Sequence, residues 1–225
     1  SSSIPLAARN SKSTTPPSRE PTQPRRRNLL SRTPGMLAFY NWFFPAVWIA
    51  FLLYWQIAAF GAKATQRLEP AISRVLRTLA FLIAISLFFI PQRLAPWLFL
   101  RLLPNPLACF WIGAAITVAG LLFAIWARAI LGANWSRSVT IKKDHELITA
   151  GPYAFVRHPI YTGILTGFMG SSVATGQLRG LIAFVLVFLA LWYKLRLEET
   201  WMRSQFGDTY TTYVQRTAAL VPWLL

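Results

Sequence analysis

Two polar clusters in this chain hold residue types able to do chemistry. The first runs His145-Glu146-Leu147-Ile148, turns at Gly151-Pro152-Tyr153, and continues into Arg157-His158-Pro159-Ile160-Tyr161-Thr162-Gly163. Gly-Pro is a turn signal. Pro159 has no N–H to donate, so it suits the first turn of a helix. His158 then sits at or just before that helix start, where the ring and the free backbone N–H groups face one space. Such a place suits a ligand carboxylate. The bland alternative for each His is an interfacial residue at a helix end. A metal site is not expected. There are two His and one Cys, Cys109, whereas zinc usually takes three or four protein ligands.

The second cluster is Lys194, Arg196, Glu198 and Glu199. Neighbouring residues on a helix point about 100° apart. One carboxylate can therefore face inward while the other pairs with Arg203 at i+4. The bland alternative is a solvated, salt-bridged helix face. Position argues against it, since charges at a membrane boundary tend to be functional. Gly163, Gly167 and Ser171 recur at i, i+4 and i+8, with Gly170 alongside. A stripe of small residues permits close helix packing. It is expected to bring the helix after Pro159 against the one before Glu198, so that the two clusters meet.

The elements that position these clusters are apolar helices. The chain has 225 residues, 55% of them hydrophobic, above the 45–50% of ordinary soluble domains. Met36–Ala62, Thr78–Gln92, Leu102–Ala127, Pro159–Leu178 and Gly180–Tyr193 carry no charge. A membrane-spanning helix needs roughly 20 apolar residues. The expected fold is therefore all-α, a polytopic membrane bundle of about five transmembrane helices. Spans are expected at 37–60, 75–91 and 106–127. A hairpin of 160–176 and 180–200 completes the bundle. Most of the ten Trp residues, Trp48 among them, fall near the ends of apolar runs, as interfacial belts do.

Residues 1–35 are rich in Ser, Pro and Arg and are expected to form a disordered basic tail. Residues 36–225 are expected to form the membrane domain, with its cofactor-binding core at about 134–225. The net charge of +16 lies in loops and the tail, which suits anionic lipid rather than nucleic acid. With the short basic loops inside, including Arg74, Arg77, Arg128 and Arg157, the polar site faces the cytoplasm.

The stretch His145–Gly163, the pair Glu198-Glu199, then Phe206-Gly207, Tyr210 and Tyr213, resembles the isoprenylcysteine carboxyl methyltransferases and the related phospholipid N-methyltransferases. The likeness covers roughly residues 105–225. It implies S-adenosylmethionine as cofactor, held by His145, Glu146, Leu147, Ile148, Tyr153, His158, Pro159, Ile160, Tyr161 and Glu198. It also implies a basic residue four positions before the glutamate that meets substrate. Lys194 stands there, where the family frequently has Arg. A Lys is not equivalent to a fork-shaped Arg against a carboxylate, and Arg196 is the nearby alternative. The catalytic candidates are thus Lys194, Arg196 and Glu198.

The implied reaction is methyl transfer to a lipophilic or lipid acceptor at the membrane interface, first a carboxylate, alternatively the amine of a phospholipid headgroup. Two other classes stay open. One is an NADPH-dependent sterol-type reductase, whose members are similar around the Arg-His-Pro-x-Tyr-x-Gly segment. The other is a non-catalytic membrane protein.

Overall fold

The structure is a computed structural model that describes residues 34–59, 70–132 and 147–222. The basic tail, His145 and Glu146 lie outside the described residues. Ser1–Phe39 and Tyr40–Leu225 form two units, and the site lies in the second. Six helices appear among the described residues: α1 (Pro34–Ala59), α2 (Ala71–Phe89), α3 (Pro106–Leu131), α4 (Pro159–Thr175), α5 (Leu178–Phe206) and α6 (Asp208–Arg216). The described residues contain isolated bridges but no strand.

The expected spans fall on α1 to α3, and the hairpin falls on α4 and α5. Four helices, α1, α2, α3 and α5, are long and apolar enough to cross a membrane. The fifth, α4, has 17 residues, the lower limit for a span. The protein's outer face fits hydrocarbon. Ile57, Leu94 and Trp42 are 71%, 70% and 69% exposed, and apolar exposure on this scale marks a surface that meets lipid. The chain is an integral membrane protein.

The hairpin's ends are local chemistry. His158 caps α4, and Pro159 occupies its first turn. Gly176 ends α4 at φ 59°, ψ 25°, the left-handed geometry that glycine adopts without strain. At 29 residues, α5 runs about 43 Å. That exceeds a hydrocarbon core of about 30 Å, so its C-terminal turns, carrying Glu198 and Glu199, stand at the boundary with water.

The glycine stripe has a different partner from the one expected. It packs α4 on α3, not on α5. A Cβ on Gly120 would meet the Gly163 carbonyl at 2.7 Å and the Gly167 amide at 2.7 Å. A Cβ on Gly163 would meet the Gly120 carbonyl and the Ala124 amide. Thr117 seals the seam, donating to the Gly167 carbonyl at 3.2 Å. Against α5, α4 presents Leu165 and Phe168, which pack in one core with Ala183, Val187, Leu191 and Leu195.

Helix α2 packs along α5 from the other side. Its Ala84 is fully buried in that core, with Phe81, Leu87 and Phe88 against it. Trp48, partly buried, packs against the same core. Its indole donates to Ser171 Oγ at 3.0 Å and packs on Phe168 with ring centroids 4.7 Å apart.

Candidate functional site

The site is built where α4 begins and α5 leaves the apolar core. The chain reaches α4 through a single 3-10 turn, Gly151–Ala154. Residues after α6 fold back beside it. The Arg157 amide donates to the Ala218 carbonyl at 2.8 Å, and the His158 amide to the Ala219 carbonyl at 3.1 Å. Thr162 Oγ1 donates to the Leu220 carbonyl at 2.7 Å. The α4 start is thereby fixed against the C-terminal segment.

Arg157 and Glu199 form the framework. Arg157 Nε donates to Glu199 Oε1 at 2.8 Å, and both side chains are about nine-tenths buried. The same guanidinium donates to the Val214 carbonyl at 3.3 Å and to the Thr217 carbonyl. Glu199 therefore pairs with Arg157 rather than with Arg203 one turn on. Arg157 comes from 42 positions away in sequence, a separation that helical spacing cannot anticipate.

Tyr213 and Tyr153 join the same framework. Tyr213 donates its hydroxyl to the Tyr153 carbonyl at 2.6 Å. Burial pushes the Tyr213 hydroxyl up to about 12, so it stays a donor. Burial, with Tyr213 and Glu198 adding to it, also raises the Tyr153 hydroxyl.

Glu198 faces the other way, into a cavity of about 880 Å³. Tyr161 donates its hydroxyl to Glu198 Oε1 at 2.6 Å. Lys194 Nζ lies 3.5 Å from the same oxygen, one helical turn back, and 5.2 Å from the Tyr161 ring centre. His158 Nδ1 lies 3.6 Å from Glu198 Oε2. The His158 ring stacks parallel to Tyr161, with an interplanar angle of 2°. Its Nε2 is buried without a hydrogen-bond partner, and Glu199 Oε1 stands 3.6 Å away.

Leu147, Ile148, Tyr153, His158, Ile160, Tyr161, Lys194 and Glu198 all line this one cavity. Two of the expected residues do not. Pro159 is fully buried in the first turn of α4, where it starts the helix. Arg196 is exposed, with its guanidinium 5.7 Å from the Trp192 ring centre. On a 3.6-residue helix it points away from Lys194 and Glu198. Tyr210 and Tyr213 of the signature line it too, and the cavity has walls that motif spacing did not single out: Trp48, Trp55 and Arg77 from α1 and α2, and Met202 from the end of α5.

Residues 108–209 match the family model described as phospholipid methyltransferase. Over that stretch the family resemblance is established. Among curated proteins, the chain is 35% identical to a protein-S-isoprenylcysteine O-methyltransferase of Schizosaccharomyces pombe. That alignment covers 40% of this chain and 40% of the relative. It is 29% identical to protein-S-isoprenylcysteine O-methyltransferase B of Arabidopsis thaliana, over 51% of this chain and 61% of the relative. The chain thus spans about half the length of these relatives. A solved structure of the eukaryotic intramembrane Ras methyltransferase ICMT aligns at 24% identity with a TM-score of 0.49. It covers 65% of this chain and 52% of that one.

The cavity residues from Tyr153 to Glu198 lie inside the matched stretch, whereas Arg77 and the α1 wall lie outside it. The residues present fit S-adenosylmethionine. Glu198 offers carboxylate oxygens to its ammonium or hydroxyl groups. His158 offers an imidazole ring, and Tyr153, Tyr161 and Trp55 offer aromatic faces. Aromatic faces attract cations such as a sulfonium.

Proposed function

We propose that this protein is an S-adenosylmethionine-dependent methyltransferase acting on a lipophilic acceptor at the membrane interface, with a carboxylate as the group methylated. One observation carries the reading: a carboxylate, Glu198, braced by Tyr161 at 2.6 Å and by Lys194, stands in a deep apolar cavity beside the His158 ring. The phospholipid methyltransferase match over residues 108–209 and the names of the two curated relatives support the chemistry and the acceptor class.

S-adenosylmethionine, when bound, supplies a methyl group on a positively charged sulfur. The protein's own residues do the rest. Glu198, Tyr153, His158 and Tyr161 hold and orient the cofactor, with Leu147, Ile148 and Ile160 forming its apolar wall. The segment at His145 and Glu146 completes the binding set implied by the family. A carboxylate nucleophile is already ionised at neutral pH, so no base is needed. Catalysis then consists of alignment and exclusion of water by the aromatic walls. The acceptor's hydrocarbon reaches the cavity from the lipid, while the polar mouth faces the cytoplasm.

Incubating the purified protein with methyl-labelled cofactor and native membrane extract tests this. The expected product is an extractable lipophilic species whose label is released by mild base, as from a methyl ester. Label stable to base places the methyl on nitrogen instead. No transfer by a protein that keeps its thermal unfolding transition contradicts the proposal.

A further inference from the structure

The cavity holds a cation, Arg77, that the family resemblance does not assign. Lys194, at the position the resemblance gives to substrate, is engaged within the site. Its ammonium lies 3.5 Å from Glu198 Oε1 and over the Tyr161 ring. Its charge is largely spent on the carboxylate that the cofactor needs. Arg157 is likewise committed, to Glu199 and to two backbone carbonyls. Arg179 lines the cavity at the start of α5, where it donates to the Phe88 carbonyl at 3.0 Å and to Gln177 Oε1 at 2.8 Å.

Arg77 is a further cation of this cavity. It is half-buried, lines the same cavity, and comes from α2. The packing of α2 on α5 sets its height. The Phe88 carbonyl meets Arg179, which fixes one level. Arg77 precedes Phe88 by eleven positions, about 16 Å along the helix. Going the same distance along α5 from Arg179 reaches residue 190. The two helices run antiparallel, so Arg77 stands at a level about one helical turn from that of Lys194.

We propose that Arg77 is the acceptor-binding cation of this protein: its guanidinium receives the oxyanion of the acceptor, the carboxylate to be methylated, while Lys194 serves as a brace for Glu198. This rests on the methyltransferase reading and deepens it. A guanidinium presents a planar fork of donors that matches a carboxylate or a phosphate at two points. That restores the two-point recognition lacking where Lys replaces Arg. The acceptor's oxyanion is then supplied by α2, and its hydrocarbon lies against Phe81 and Ile85 of the same helix, which also line the cavity.

The test uses the full-length protein in lipid nanodiscs. Arg77→Gln, Arg77→Lys and Lys194→Gln are compared with wild type for two readouts. One is cofactor affinity by calorimetry. The other is methyl transfer to N-acetyl-S-farnesylcysteine and to phosphatidylethanolamine vesicles. Arg77→Gln is expected to raise the KM for the farnesylcysteine at least tenfold, leaving cofactor Kd within twofold. Arg77→Lys is expected to recover only part of the loss. Lys194→Gln is expected to weaken the cofactor instead. A KM defect confined to phosphatidylethanolamine overturns the carboxylate assignment, because it places Arg77 on the phosphodiester instead.

An unchanged KM in Arg77→Gln overturns the inference, as does a matched loss of cofactor binding or a wild type that methylates neither acceptor. Wild-type protein that binds no cofactor fails on the earlier proposal instead, so the two failures are distinguishable.

Discussion

Tyr161 and Glu198, 37 positions apart, share a side-chain hydrogen bond of 2.6 Å from hydroxyl to carboxylate. It joins the first turn of α4 to the polar end of α5, so the bond that orients a ligand-binding carboxylate also closes the hairpin.

Removing that hydroxyl should loosen the carboxylate without emptying the core. Hydrogen bonds to charged groups contribute about 1.5–3 kcal/mol. Tyr161→Phe is therefore expected to weaken S-adenosylmethionine binding by about 10-fold and to lower the melting temperature by a few degrees. Calorimetry and a thermal melt of the same preparation check both halves. A Tyr161→Phe protein with wild-type affinity would show that the bond is incidental.

Arg157 and Glu199 should behave oppositely, as structure rather than binding. Removing one partner of a buried ion pair typically costs about 3–5 kcal/mol. Arg157 also holds the Val214 and Thr217 carbonyls. Arg157→Ala is expected to lower the unfolding temperature sharply and to expose the segment after α6 to protease. Limited proteolysis in detergent reads this directly, through early cleavage between residues 207 and 222.

The hairpin and its polar mouth are legible in the sequence because their signals are local. Pro159 starts a helix, Gly176 ends it, and charge-free runs measure the spans. What fails to show locally is which surfaces meet. The stripe of Gly163, Gly167 and Gly170 announces a close approach but not its partner, which is α3 through Gly113, Thr117 and Gly120. Glu199 has a helical neighbour in Arg203, yet the fold supplies Arg157. Arg77 reads as one more loop charge until the register of α2 against α5 is known. Arg196 shows the converse, a charge in the right stretch on the wrong face.

The α3–α4 seam gives a third prediction. At Gly120 an added Cβ finds the Gly163 carbonyl and the Gly167 amide within 2.7 Å. Both are backbone atoms, so neither can step aside as a side-chain tip would. Gly120→Ala is expected to cost about 1–3 kcal/mol as overpacking. Gly132→Ala is a poor control because of its positive φ of 51°. Leu122→Ala, at an exposed position of the same helix, should leave the melting curve in place.

The tyrosine framework adds a pH dependence. The Tyr213 hydroxyl is raised from 10.0 to about 12 by burial. A raised folded value means the unfolded chain loses the proton first. The stabilisation is thus complete below pH 10 and falls as pH rises through 12. Wild type should melt above Tyr213→Phe at pH 9, and the gap should shrink between pH 10 and 12. A gap that is constant across that range would contradict the assignment.

The central claim is that Glu198 belongs to a cofactor site. Calorimetric titration of S-adenosylmethionine, and of its demethylated product, into wild-type protein and Glu198→Gln tests it most directly. Binding by wild type, with a loss of at least tenfold in Glu198→Gln at unchanged melting temperature, is the predicted result. Equal binding by both proteins, or none by a folded wild type, would contradict it.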